Sequence, residues 1–178
     1  LGNMPVFLSV EIAPRIYEYP RTMMTVLSAY LHQSMYAELI GITEELRERQ
    51  YNRPLMMIHN TGGMASVFKT SAINTYNGGP VAGVMGSFYL APHYGYKNVI
   101  SADMGGTSFD IGMVAEGSTR CYQFQPIIDR CVVDATMLDG RSIGAVGCSI
   151  TSVNPLLGNH VNVGPESAVS HPGPACYN

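Results

Sequence analysis

Apolar residues come in short runs that alternate between strand and helix periods. Val6-Phe7-Leu8, with Pro5 before it and Pro14 after it, reads as part of a strand over residues 5–10. Residues 14–20, bracketed by two prolines, read as a loop. Thr22 is a capping residue for a helix running to about Leu31. A second helix is predicted from Met35 to Gln50, where Met35, Leu39, Ile42 and Leu46 recur at spacings of 4, 3 and 4 along one stripe. Glu44, Glu45, Arg47, Glu48 and Arg49 cover its solvated face, and Glu45 is spaced to pair with Arg49. The unbroken run Leu55-Met56-Met57-Ile58-His59 predicts a strand of a parallel sheet covered on both faces, ending at Gly62-Gly63. A short helix is expected over 65–73, then a loop, then a helix from Pro80 to about Leu90, with proline at its first position. Gly83 and Gly86 share a face of that helix, which suggests close approach by a second helix or a ligand. A strand, a glycine turn and a second strand follow over 99–114, then a third strand from Thr119 to about Phe124. Beyond Asp139 the chain is rich in glycine and proline, has no lysine, and reads as loop.

Composition narrows the class. The 178 residues suffice for one domain with a real core. Only 13% are charged against 46% hydrophobic, well under the roughly 25% charge of a free soluble domain. Part of the surface is therefore expected to lie against more polypeptide or a partner subunit. Net charge is −3 and Lys and Arg nowhere form a run, which argues against nucleic acid as a partner. No apolar run is long enough for a membrane span. Cys121, Cys131, Cys148 and Cys176 form no CxxC pair and read as reduced thiols of a cytoplasmic protein. A metal site uniting Cys148 and Cys176 with His160 or His171 stays open. His32, His59, His93, His160 and His171 are scattered, and each alone reads as a structural polar residue.

Two familiar catalytic patterns are missing: there is no GxxxxGK[ST] and no HExxH. What remains is glycine turns at element boundaries: Gly62-Gly63, Gly78-Gly79 before Pro80, Gly105-Gly106, and Gly144 to Gly147. Turns of this kind beside strand ends and a helix N-terminus suit anionic oxygens. The segment Asp103-Met104-Gly105-Gly106-Thr107-Ser108-Phe109-Asp110 carries the most chemistry. Two glycines allow backbone N–H groups to face one concave point, and Thr107 and Ser108 add hydroxyls. Asp103 and Asp110 would repel bare phosphate, so they call for a divalent cation or an attacking water between. A tight hairpin with a polar turn accounts for the same residues without any ligand.

Three segments in order resemble one family. They are Asn77-Gly78-Gly79-Pro80-Val81-Ala82-Gly83-Val84-Met85-Gly86, then Asp103 to Asp110, then Val163-Gly164-Pro165-Glu166-Ser167-Ala168 with Pro172-Gly173-Pro174-Ala175-Cys176-Tyr177. Together they are similar to the hydantoinase A/oxoprolinase family, A-type subunit, across nearly the whole chain. His59-Asn60-Thr61-Gly62-Gly63-Met64 and Tyr76 to Pro80 look closest to the acetone and acetophenone carboxylases within it. Three positions depart from the family pattern: Val146 and Cys148 stand where it has glycines after Ile-Gly-Ala, and Val169 stands where it has glycine after Ser-Ala.

The resemblance implies an α/β, actin-like ATPase (ribonuclease-H-like) fold with ATP between two halves, this chain holding parts of both. Residues 1–97 would end the first half with its connecting helix, and 98–178 would begin the second with a phosphate-binding hairpin. It implies ATP as cofactor with Mg²⁺ or Mn²⁺, the cation on Asp103 through water and Asp110 beside it as the second catalytic carboxylate. Gly62, Gly63, Gly78, Gly79, Gly105, Gly106, Thr107 and Ser108 would contact the cofactor. The family's first phosphate hairpin has no counterpart here, so the chain is expected to be an internal piece of a larger subunit. Expected partners are the rest of that subunit, B-type and small subunits of a hetero-oligomer, a small ketone and bicarbonate. The implied activity is biotin-independent, ATP-dependent carboxylation of a ketone. ATP-dependent opening of a cyclic amide, as in hydantoinases and 5-oxoprolinase, is the alternative, and a structural subunit that has lost nucleotide is the third.

Overall fold

The computed structural model describes residues 5–122, 125–169, 171 and 173. In chain order the elements are helices α1 (Ser9–Ile12) and α2 (Glu18–Glu48), strands β1 (Met56–Ile58) and β2 (Met64–Ser66), and helix α3 (Gly78–Leu90). Strands β3 (Val99–Met104), β4 (Phe109–Ala115), β5 (Ser118–Thr119), β6 (Ile127–Ile128), β7 (Cys131–Val132), β8 (Gly140–Ile143), β9 (Ser149–Asn154) and β10 (His160–Ser167) follow. Two compact units form, one from Leu1–Ala82 with Arg120–Leu138, the other from Gly83–Thr119 with Asp139–Asn178. The boundary at Ala82 and Gly83 falls inside α3.

In the first unit the two expected helices are one. Polar residues at 32–34 do not break α2, because His32 stacks on Tyr36 one turn later at 4.9 Å between ring centroids. The helix also starts earlier, inside the expected loop, with Pro20 in its first turn, where an N–H has no intrahelical acceptor to lose. Glu45 does pair with Arg49, at 2.7 Å, but both are exposed and the pair adds little stability. The core gathers Ala13, Met24, Ile73, Ile128, Val133 and Met137, so it is the first half of α2 that is best buried. The stripe expected farther along is only half covered, with Ile42 40% exposed. No strand forms over 5–10; Leu8 instead turns the chain, its carbonyl accepting from the N–H groups of Glu11 and Ile12.

β1 is not the parallel, doubly covered strand that its apolar run predicts. It pairs antiparallel with β2, Met57 opposite Ala65, in a two-stranded hairpin. Gly62, at φ +86°, makes the turn, donating its N–H to the His59 carbonyl at 2.9 Å. The expected helix over 65–73 gives way to β2 and two 3₁₀ turns, Val67–Lys69 and Ala72–Thr75. Asn60, 2% exposed, ties these pieces together: its N–H reaches the Asn74 carbonyl at 2.8 Å, and its carbonyl accepts from Leu138 N–H at 2.9 Å. Its side-chain amide donates to the Ile73 carbonyl at 3.3 Å.

The second unit is an antiparallel sheet with β4 at its centre. β3 pairs along one edge of β4, and β5 and β8 share the other. The strand–turn–strand expected over 99–114 is present as β3 and β4, with Asp103 inside β3 rather than after it. The third expected strand is limited to Ser118–Thr119, while residues 123–124 lie outside the described residues. Val84 of α3 packs on Gly112 of β4, and Val114 on the same face is 2% exposed. Where loop was expected after Asp139, β8, β9 and β10 form instead. β9 and β10 pair antiparallel, with an irregularity between Val163 and Ser167 at the cis Gly164-Pro165 bond.

Candidate functional site

Register brings the two acidic residues together. In the β3–β4 pair Asp103 lies opposite Asp110 and Met104 opposite Phe109. Directly opposed residues of an antiparallel pair project from the same face with Cβ atoms about 5 Å apart, and like charges placed so are unfavourable. Asp110 is held by two hydroxyls. Ser108 Oγ donates to its Oδ2 at 2.8 Å, and Ser142 Oγ, on the neighbouring β8, donates to its Oδ1. Asp103 is exposed, and no side-chain hydrogen bond or ion pair involves it among the described residues.

Residues 105–108 close the hairpin, Gly105 N–H donating to the Ser108 carbonyl at 2.9 Å. Gly106 is needed here for space. Neither Gly105 nor Gly106 has the positive φ that an anion nest of alternating hand requires, which corrects the conformational reason expected for them. A Cβ on Gly106 would instead sit 3.0 Å from Cys148 Sγ. A Cβ on Gly147 would sit 3.4 Å from the Gly105 carbonyl, to which Gly147 N–H donates at 3.3 Å.

This contact defines a cleft of about 790 Å³ in the second unit. Gly105, Gly106 and Thr107 line one side, and the loop from Gly144 through Val146, Gly147, Cys148 and Ser149 another, with Pro165, Ser167 and Val169 beyond. Ser149 Oγ fixes the loop by accepting Val146 N–H at 2.9 Å and donating to the Gly144 carbonyl at 3.3 Å. Ser167 Oγ ties β10 to it, donating to the Cys148 carbonyl at 3.2 Å. Among the described residues no charged side chain lines the cleft, so its polarity comes from amides and hydroxyls.

The remaining candidates are in other settings. Gly62 and Gly63 form the β1–β2 turn of the first unit. Gly78 opens α3, where a Cβ would meet the Ile58 carbonyl at 3.0 Å, and Gly79 follows with open space around it. Gly83 and Gly86, expected to mark a close approach, have nothing within 4 Å of the place a Cβ would take; that close approach belongs to Gly112. Val146 and Cys148 both line the cleft, and Cys148, buried, also fills the space next to Gly106. Cys176, and with it the four-residue metal alternative, lies outside the described residues. Among the described residues no group of three or more His, Cys, Asp and Glu could hold a metal ion. His59 is engaged with Thr70 at 3.0 Å and His93 with the Tyr89 carbonyl at 3.1 Å, in keeping with structural roles. Sequence reasoning missed Ser142, Ser149 and Ser167: Ser142 lies within Gly140-Arg141-Ser142-Ile143-Gly144 and Ser167 within the third family segment, but no local pattern shows which strand or loop brings each to the turn.

The Gly106–Cys148 contact makes a prediction. Gly106→Ala is expected to destabilise by about 1–3 kcal/mol through overpacking, and to cost measurably less in a Cys148→Ala background. Denaturant midpoints of the four proteins check it; equal costs in both backgrounds would place the strain elsewhere.

Comparison with known proteins agrees with this architecture. The chain is similar to the acetophenone carboxylase gamma subunit of Aromatoleum aromaticum, 49% identical over 177 residues, covering 99% of this chain and 24% of that one. Among solved structures, nucleotide-free acetone carboxylase matches with TM-score 0.77 and 29% identity, over 90% of this chain and 22% of that one. The ATP-dependent caprolactamase from Pseudomonas jessenii matches with TM-score 0.72 and 34% identity, over 95% of this chain and 24% of that one. The chain thus spans about a quarter of the length of these relatives. The likeness bears out the expected α/β, actin-like ATPase fold. Residues 21–178, which include all three motif segments, match hydantoinase/oxoprolinase, and the chain belongs to that family.

Proposed function

We propose that this chain is the ATP-binding part of a subunit of a biotin-independent, ATP-dependent ketone carboxylase. The observation that carries the reading is the opposed pair Asp103–Asp110 at the end of a glycine-turn hairpin, beside a cleft walled by amides and hydroxyls. The open carboxylate of Asp103, with the hydroxyl-held Asp110 beside it, suits Mg²⁺ or Mn²⁺, since Mg²⁺ is bound by one or two carboxylates together with substrate phosphates and water. When bound, such a cation neutralises charge on the phosphates as the phosphoryl group leaves. Asp103 would hold it through water, with Asp110 fixed alongside. The Gly106 N–H and the Thr107 hydroxyl would receive phosphate oxygens, while Gly105 spends its N–H on the Ser108 carbonyl and contacts the cofactor through its Cα, and Ser108 spends its hydroxyl on Asp110. Gly62, Gly63, Gly78 and Gly79 are proposed cofactor contacts on the first unit. Phosphorylation of the ketone's enol oxygen or of bicarbonate would replace hydroxide by a better leaving group. On this reading residues 1–97 end one half of the ATPase and 98–178 begin the other.

The acetophenone carboxylase likeness favours a ketone and bicarbonate as substrates and a hetero-oligomer with B-type and small subunits. No helix among the described residues is long and apolar enough to cross a membrane, which is compatible with the proposed cytoplasmic location. The caprolactamase likeness supports a second reading, in which the same phosphorylation drives opening of a cyclic amide. Incubating the assembled enzyme with ATP and labelled bicarbonate separates the two. ATP-dependent fixation of label with acetone or acetophenone is expected. Fixation with neither, together with ATP-dependent opening of hydantoin, 5-oxoproline or caprolactam, would replace the first reading by the second.

A further inference from the structure

Ser142 is the serine of Gly140-Arg141-Ser142-Ile143-Gly144, which fits GxSxG in letters but forms strand β8 rather than a strand-to-helix elbow, so its position matters through strand register. β8 pairs with β4 so that Ser142 is opposite Asp110, just as β3 places Asp103 opposite Asp110 from the other edge. Three residues thus share one face across three strands, Asp103, Asp110 and Ser142, with Asp110 in the middle. Ser142 Oγ donates to Asp110 Oδ1, and Ser108 Oγ donates to Oδ2 at 2.8 Å. A carboxylate with one donor can turn about its last bond; with one donor on each oxygen, any turn breaks a hydrogen bond. Ser142 is exposed, where a single hydrogen bond adds little to folding stability. Its effect is therefore mainly on the direction of the Asp110 carboxylate.

We propose that Ser142 is a positioning residue, which with Ser108 holds Asp110 beside Asp103 so that the pair receives one hydrated divalent cation carried by the nucleotide. The proposal rests on the ATP reading above. Partners that orient metal-binding carboxylates alter metal affinity when removed, by about 10- to 100-fold.

The test uses the assembled enzyme and measures Mn²⁺ binding by electron paramagnetic resonance with a non-hydrolysable ATP analogue present. Ser142→Ala is expected to weaken Mn²⁺ binding about 10-fold with an unchanged melting temperature. Ser142→Thr, which keeps the hydroxyl, is expected to restore it. Unchanged Mn²⁺ affinity in Ser142→Ala overturns the proposal, as does a threonine variant as weak as the alanine one. A wild-type enzyme that binds no Mn²⁺ with the analogue overturns the ATP reading itself, and the role of Ser142 with it.

Discussion

Asp103→Asn in the assembled enzyme is expected to lower ATP turnover by on the order of 10²–10³-fold while leaving the fold intact or slightly more stable. Both halves of that result follow from one geometry. Asp103 opposes Asp110 across β3 and β4, and it is exposed with no donor among the described residues. Without a cation, the pair places two negative charges on one face, which costs roughly 0.2–1 kcal/mol. Removing one charge relieves that cost, so melting temperature should hold or rise. With cation and nucleotide, the same change removes the negative charge that would hold the cation against the phosphates, and turnover falls. Parallel loss of turnover and stability would instead make Asp103 a structural residue.

Gly112→Ala is expected to give the largest loss of stability from adding a single methyl group. A Cβ there would lie 2.8 Å from Ser101 Oγ and 3.3 Å from Val84 Cβ, where α3 rests on the sheet. Overpacking of this kind costs about 1–3 kcal/mol, and the melting temperature should drop by roughly 2–4 °C for each kcal/mol lost. The damage should reach the site, because Gly112 is on the face of β4 that carries Asp110 two residues away. Gly86→Ala on α3 is the control: its surroundings are open, and alanine gains about 1 kcal/mol of helix propensity over glycine. Opposite signs for the same chemical change are expected in thermal melts. A Gly112→Ala protein that melts with wild type would show that α3 yields freely.

The β3–β4 hairpin is legible in the sequence because its signals are local: two apolar runs, a glycine turn and a short loop. α3 is legible from Pro80, although the helix begins two residues earlier, at Gly78. α2 reads as two helices because the polar stretch at 32–34 looks like a break, and the stacking of His32 on Tyr36 that carries the helix through is a side-chain contact. β1 reads identically as a buried parallel strand or as half of a short hairpin; only its pairing with β2 decides. β8 is short and depends on β4, distant in sequence, while β9 and β10 pair with each other but carry few apolar residues and a Gly164-Pro165 interruption, so their strand pattern is weak. At the site, Asp103, Asp110 and the glycines are visible as residue types in order. Ser142 is not, because its meaning lies entirely in which strand adjoins β4.

The cleft beside the turn is walled by amides, hydroxyls and apolar side chains, with no lysine or arginine among the described residues that line it. Sites that hold polyphosphate on arginine and lysine lose affinity as added salt screens those charges. Fixed dipoles at short range are far less sensitive to ionic strength. On the proposed reading, occupancy should follow the free divalent cation concentration closely and sodium chloride only weakly.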